Sequence, residues 1–130
     1  MILVTTSRKP APELRTFGKD LAFALAGRYQ PRGKSGLSDA VSEHHTVIVA
    51  GKSRFGYELA FYHEGDLVFT LRFSRFTVTV RPGPLQKGLR TGDQSVYDAL
   101  SRYVDVISEE TAPILVFDGA QKRRYSLSVR

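Results

Sequence analysis

The chain contains no cysteine. That excludes disulfides and thiolate metal sites and fits a reducing cytoplasm. No apolar run approaches the ~20 residues a transmembrane helix needs. The opening MILVTTSRKP has too short an apolar stretch for a signal peptide, with its charge on the wrong side. Acidic residues are the scarcer charge: 13 Asp and Glu face 19 Lys and Arg, a formal net charge of +6. A basic excess of this kind favours a polyanionic partner, nucleic acid ahead of an anionic membrane surface. With 130 residues, 25% charged and 42% hydrophobic, the composition is that of one ordinary globular domain. A chain of this length can bury roughly two-thirds of its unfolded surface without a covalent staple.

A recognisable catalytic set is also missing. RGKSG suggests a phosphate-binding loop, but that motif needs a glycine five positions before its second glycine, after a strand. Arg28 stands five before Gly33, and a predicted helix precedes it. Glu43, His44 and His45 do not make a metal site, because adjacent histidines on a strand point to opposite faces. His63 is the remaining histidine, and a zinc site has too few donors. No GxSxG elbow accompanies the serines. Asp20, Asp39 and Asp98 are scattered and read as helix-surface or capping residues. The expectation is a protein with no cofactor, no metal and no enzymatic activity.

What is present is organised around Val4 to Leu25. Ile2-Leu3-Val4 predicts a buried strand. Thr6-Ser7-Arg8-Lys9-Pro10 is a basic loop. Pro12 suits a first helical turn, where no amide donor is needed. Leu14, Phe17, Leu21 and Leu25 make one helical face, with Arg15 and Lys19 beside it. Gly27 is the expected stop. Arg28 to Gly36 reads as a second basic loop, and Ser38 as the cap of a short helix, Asp39 to Glu43.

Strands are expected at His45–Ala50, Tyr57–His63 and Leu67–Phe73, with a basic turn at Gly51–Gly56 and a hairpin at Glu64-Gly65-Asp66. From Phe76 the apolar positions shift from odd to even numbers through Val78 and Val80. That phase change at Ser74-Arg75 predicts a bulge or a passage into a new layer. Arg81 to Gln94 is a Gly/Pro-rich loop. Ser95 with Asp98 resembles a capping box, opening a helix whose stripe is Val96, Ala99, Leu100, Tyr103, Val104 and Ile107. Pro113 closes it. Ile114–Phe117 and Arg124–Val129 are the last predicted strands, around a turn at Asp118–Arg123.

The two halves echo one another. VIVAGKSRFGYELAF from Val47 aligns without a gap to LVFDGAQKRRYSLSV from Leu115, and VTTSRKP at Val4 resembles VTVRPGP at Val78. Two copies suggest a duplicated unit. Halves of roughly 1–66 and 67–130, each with one strong helix and about three strands, are too small to bury a core alone. One α/β domain with a mixed sheet is expected.

The ordered string ILVTTSRKP, FGKDLA, PRGKSGLSD and HTVIVAGK closely resembles the Brix-domain proteins of ribosome biogenesis, especially their short archaeal members. The resemblance covers the first half strongly and the second weakly. It implies two similar halves, each akin to the anticodon-binding domain of class II aminoacyl-tRNA synthetases, packed as one domain. It implies binding to ribosomal RNA or its precursor during subunit assembly, without catalysis, in the cytoplasm. A monomer is expected, with ribosome assembly proteins as further partners and no membrane. Many eukaryotic members carry a glycine-proline and basic-aromatic motif before the last strand. Here DGAQKRRYSLSV lacks the proline and keeps Lys122, Arg123 and Arg124.

Candidate RNA contacts are Arg8 and Lys9 in the first loop, Arg15 and Lys19 on the helix, and Arg32 and Lys34 in the second loop. Lys52 and Arg54 add the basic turn, and Arg81, Lys87 and Arg90 the second-half loop. Phosphate contacts position RNA, whereas sequence reading needs unstacked bases on aromatic planes. Tyr29, Phe55 and Tyr57 lie beside cations, although Tyr57 reads best as a packed strand residue. Two rival readings are a small ribonuclease using a histidine, and a module docking on a protein already bound to RNA.

Overall fold

The structure is a computed structural model, and it describes residues 2–7, 9–31 and 45–129. Among these residues ten strands form two five-stranded mixed sheets. The first sheet contains β1 (Ile2–Thr6), β2 (Arg28–Tyr29), β3 (Thr46–Ser53), β4 (Gly56–His63) and β5 (Asp66–Phe73), in the order β2-β1-β3-β4-β5. The second contains β6 (Arg75–Val80), β7 (Leu89–Thr91), β8 (Val106–Ser108), β9 (Leu115–Asp118) and β10 (Arg123–Ser128), in the order β6-β10-β9-β7-β8. Helix α1 (Pro12–Ala24) joins β1 to β2, and helix α2 (Gln94–Leu100) joins β7 to β8. Among the described residues, no helix is long and apolar enough to cross a membrane.

Helix α1 begins at Pro12, as its fixed φ and missing donor favour. Leu14, Phe17 and Leu21 are its fully buried stripe. The stop is built differently from the expectation. Ala26, at φ 53°, takes the left-handed position that Gly27 was expected to fill. The Ala26 amide donates to Phe23 O and the Gly27 amide to Ala22 O, closing a Schellman cap. Gly27 is needed for space instead: a Cβ there would lie 2.6 Å from Ile2 O.

Phe17 sits where the two sheets meet. Its ring centroid is 6.0 Å from Phe73 and 4.9 Å from Phe76, and 5.4 Å and 5.6 Å from Phe117 and Tyr125. Tyr57 joins the same cluster through Phe73 and Phe76, so its aromatic face is used in packing. The core is therefore an aromatic cluster where the sheets meet, and α1 enters it through Phe17.

The phase change at Ser74 is the passage between sheets: β5 ends at Phe73 and β6 starts at Arg75. The first sheet thus takes in 66–73, and the break falls beyond the expected 66/67 division. The expected stripe from Val96 to Ile107 is not one helix. α2 stops at Leu100, and Ile107 lies exposed on β8. The cap of α2 is Asp93, whose carboxylate accepts from the Val96 amide at 3.2 Å, rather than Ser95.

The sheets share a plan, but not the gapless letter alignment. In each, a helix joins two parallel strands, β1 to β2 and β7 to β8, and an antiparallel hairpin follows, β3–β4 or β9–β10. The alignment set Ile48 against Val116, yet Ile48 and Ala50 face the core in one hairpin, Leu115 and Phe117 in the other. Loop length is the reason. Ser53 pairs with Gly56 in the first hairpin, whereas Asp118 pairs with Arg124 across a longer turn in the second. β6 does not take the place of β1 either. It is an edge strand on β10, and it is β7 that leads into a helix. β1 and β3 run parallel, β7 and β9 antiparallel.

Candidate nucleic-acid interface

Strand direction gathers the cations. β1 and β3 are parallel, so both end at one edge of the first sheet, where the Ser7 amide donates to Ala50 O at 2.9 Å. The β3–β4 hairpin turns at that edge, and β5 runs back to it, because Tyr57 pairs with both Lys52 and Phe73. Lys9, Lys52, Arg54, Arg72 and Arg75 therefore stand together at one end of the molecule, all exposed. Lys9 has φ 51°, a left-handed turn that redirects the chain from β1 towards α1. Arg15 and Lys19 continue the basic surface along the outer face of α1. None of these seven makes an ion pair among the described residues.

Arg72 and Arg75 are additions the sequence reading missed. The signal was there: Arg72 sits between the buried Leu71 and Phe73, so strand alternation points it outwards. Arg8, Arg32 and Lys34 lie outside the described residues, as does the expected helix at Asp39–Glu43. Tyr29 is tied down as well. A Cβ on Gly18 would lie 2.8 Å from its ring, its hydroxyl is 3.5 Å from Thr6 Oγ1, and Lys19 Nζ is 6.0 Å from its centroid. Phe55 is different, 84% exposed with the Arg54 guanidinium 5.3 Å above its ring.

The second-half loop loses one of its three expected contacts, Arg90, to the interior. Arg90 is buried, and its guanidinium donates to Asp118 Oδ1 at 3.1 Å. It is ion-paired inside the protein and cannot present its charge to phosphate. Lys87 places its ammonium 3.3 Å from Phe23 O and 4.0 Å from the Phe23 ring, at the C-terminal end of α1, where a cation is favoured by the helix dipole. The Arg81 Nε donates to Gly83 O at 2.8 Å, shaping its own loop.

Two buried carboxylates engage Arg123 and Arg124. Asp20, read from sequence as a helix-surface residue, is only 2% exposed. It accepts from Arg123 Nε at 2.7 Å, from Tyr125 Oη at 2.5 Å and from the Ala120 amide at 3.1 Å. Gly119 lets the turn approach, since a Cβ there would lie 2.5 Å from Asp20 Cβ. The arrangement fastens α1 to the β9–β10 turn. Burial, then the hydrogen bond to Asp20, raises the Tyr125 phenol above its usual pKa. Asp118 accepts from Arg124 Nε at 2.7 Å and from the Gln86 amide at 3.1 Å, besides Arg90.

Burial opposes the Asp118 carboxylate, yet the Arg124 and Gln86 hydrogen bonds and the two guanidinium charges together hold its pKa below the usual value. A depressed folded pKa stabilises the fold above the unfolded value of ~3.9. That contribution is lost as pH falls through the lower folded value. Urea midpoints of the wild type are therefore expected to fall steeply below about pH 4. Asp118→Asn should lower the midpoint at neutral pH and flatten the acid limb. Parallel acid limbs for the two proteins would contradict this role.

The two mixed sheets with α1 between them define a class of α/β protein already seen in a solved structure. The chain resembles Mil, an archaeal Imp4-like protein, over 96% of its own length and 95% of that chain, with TM-score 0.63 and 21% identity. Sequences described as "Probable Brix domain-containing ribosomal biogenesis protein" match as well. Those from Methanosarcina barkeri and Methanosarcina mazei are 43% identical over 77 residues, 56% of this chain and 49% of each relative. The one from Methanococcoides burtonii is 31% identical over 112 residues, 81% of this chain and 72% of the relative. No protein-family model matches the chain. The chain belongs to the Brix-domain family of ribosomal biogenesis proteins. Its match spans about half the length of the two Methanosarcina relatives.

Proposed function

We propose that this protein is a non-catalytic ribosome biogenesis factor that binds ribosomal RNA or its precursor and assists processing or subunit assembly. The observation that carries the reading is the basic surface formed by Lys9, Lys52, Arg54, Arg72 and Arg75 with Arg15 and Lys19, none of them ion-paired among the described residues. Fixed cations on a rigid strand-and-helix frame bind phosphate with little reorganisation and position RNA without reading its sequence. The family membership supports the same partner. The common plan of the two sheets supports reading each half as a relative of the anticodon-binding domain, with the halves acting as one unit. A monomer working in the cytoplasm is part of this reading.

A second reading has its own observation. β6 is an edge strand with Val78 47% and Val80 78% exposed, an open ladder to which a partner protein could add a strand. Titration of labelled precursor ribosomal RNA fragments at low and moderate salt separates the two. Binding that weakens as salt rises is the expected result, because phosphate contacts release counterions. Absence of binding even at low salt would favour the strand-edge docking protein.

A further inference from the structure

The basic end of the molecule also holds a cleft of about 250 Å³, lined by Ser53, Arg54, Phe55, Arg72, Ser74 and Val129, with Phe73. The cleft is at the junction of the sheets and its walls are braced. The Ser74 amide donates to Ser128 O at 2.9 Å, and Ser74 Oγ donates to Val129 O at 2.5 Å. Gly56 allows the β3–β4 turn to press on this junction, since a Cβ there would lie 2.4 Å from Phe73 O.

Phe55 offers an accessible aromatic face at this cleft. A phenyl ring 84% exposed at a turn gains nothing from packing inside the chain. Two cations share its cleft: the Arg54 guanidinium lies over the ring, and Arg72 lines the same cleft. Glu58, opposite Arg72 across β4 and β5, makes no ion pair with it among the described residues. An exposed aromatic plane in a cleft lined by two arginines that make no ion pair among the described residues matches a nucleotide: the ring face not covered by Arg54 receives a base, and the cations receive the flanking phosphates. A paired base in a duplex cannot offer its face in this way.

The geometry points to a subsite for one unstacked base of single-stranded RNA, held on Phe55 beside Arg54 and Arg72. This inference rests on the RNA-binding reading and adds a strand preference to it. Base-on-aromatic stacking contributes roughly 5- to 150-fold in affinity per base.

The test uses a labelled single-stranded RNA of about 12 nucleotides, within the site sizes of single-strand binders, and the same RNA annealed to its complement. Phe55→Ala is expected to weaken single-strand binding by roughly 5- to 150-fold, with the salt slope unchanged and duplex binding within about twofold. The chain has no tryptophan, so Phe55→Trp introduces a single indole reporter. That variant should keep single-strand affinity, and its emission should be quenched by the single strand and not by the duplex. Unchanged single-strand binding by Phe55→Ala, equal weakening of both RNAs, or indole emission indifferent to the single strand would each overturn the subsite alone. If the wild type binds neither RNA, the basic-surface reading fails and the subsite falls with it.

Discussion

Replacing Phe17 with alanine is expected to cost about 3–5 kcal/mol of stability, the range for truncating a buried aromatic. The ring is fully buried and is the point at which β5, β6, β9 and β10 meet through Phe73, Phe76, Phe117 and Tyr125. No neighbour can relax into the space without withdrawing from another ring, so a cavity term adds to the lost transfer energy. Set against a typical total of about 5–15 kcal/mol, this leaves a marginal fold. Urea unfolding followed by circular dichroism measures it, with Phe55→Ala as the exposed control expected within about 0.5 kcal/mol. A loss at Phe17 no larger than the control's would show that α1 does not hold the sheets together.

Asp20→Ala should be of similar size, about 3–5 kcal/mol, for a different reason. Removing Asp20 leaves the Arg123 guanidinium, 31% exposed, partly to water, but it leaves the buried Tyr125 hydroxyl with no acceptor. Here the loss strips Arg123, the Tyr125 hydroxyl and the Ala120 amide of a common acceptor. Tyr125→Phe should cost less, about 1–3 kcal/mol, because it leaves only one lone pair of Asp20 without its donor. A double-mutant cycle between Asp20→Ala and Arg123→Ala should give a coupling of at least ~0.5 kcal/mol. Strict additivity would mean that the contacts do not act as a unit, and that the β9–β10 turn is held by packing alone.

What could be read from the letters was the local part. Pro12 with Leu14, Phe17 and Leu21 placed α1, and the odd-to-even shift at Ser74 placed the passage between sheets. Both signals lie within a few residues of the structure they predict. The failures are long-range. Asp20 and Arg123 are 103 positions apart, and Arg90 and Asp118 are 28 apart. Nothing near either member in sequence marks a buried pair, so Asp20 read as surface and Arg90 as a phosphate contact.

The stripe from Val96 to Ile107 failed for another reason: its spacing fits a helix, but a helix, a turn and a short strand bury Val96, Leu100 and Val104 while leaving Ile107 exposed. The candidate interface was legible at Lys9, Lys52 and Arg54, which are in loops or at strand ends. Its full extent depends on β5 returning to the same edge, a fact of topology that brings in Arg72 and Arg75.

The proposed phosphate-binding surface is one end of the molecule, and the second-half loop is expected to lie outside it. The most direct measurement is the salt dependence of binding to single-stranded precursor ribosomal RNA. Three proteins are needed: wild type, a Lys52→Ala/Arg54→Ala/Arg72→Ala/Arg75→Ala variant, and an Arg81→Ala/Lys87→Ala variant. Each lost phosphate contact on a single strand flattens the log–log slope by about 0.7, so the first variant should lose up to about 2.8. The second should keep the wild-type slope, because its cations serve Gly83 and the end of α1. Equal slopes for wild type and the first variant, or a flattened slope in the second alone, would contradict the account.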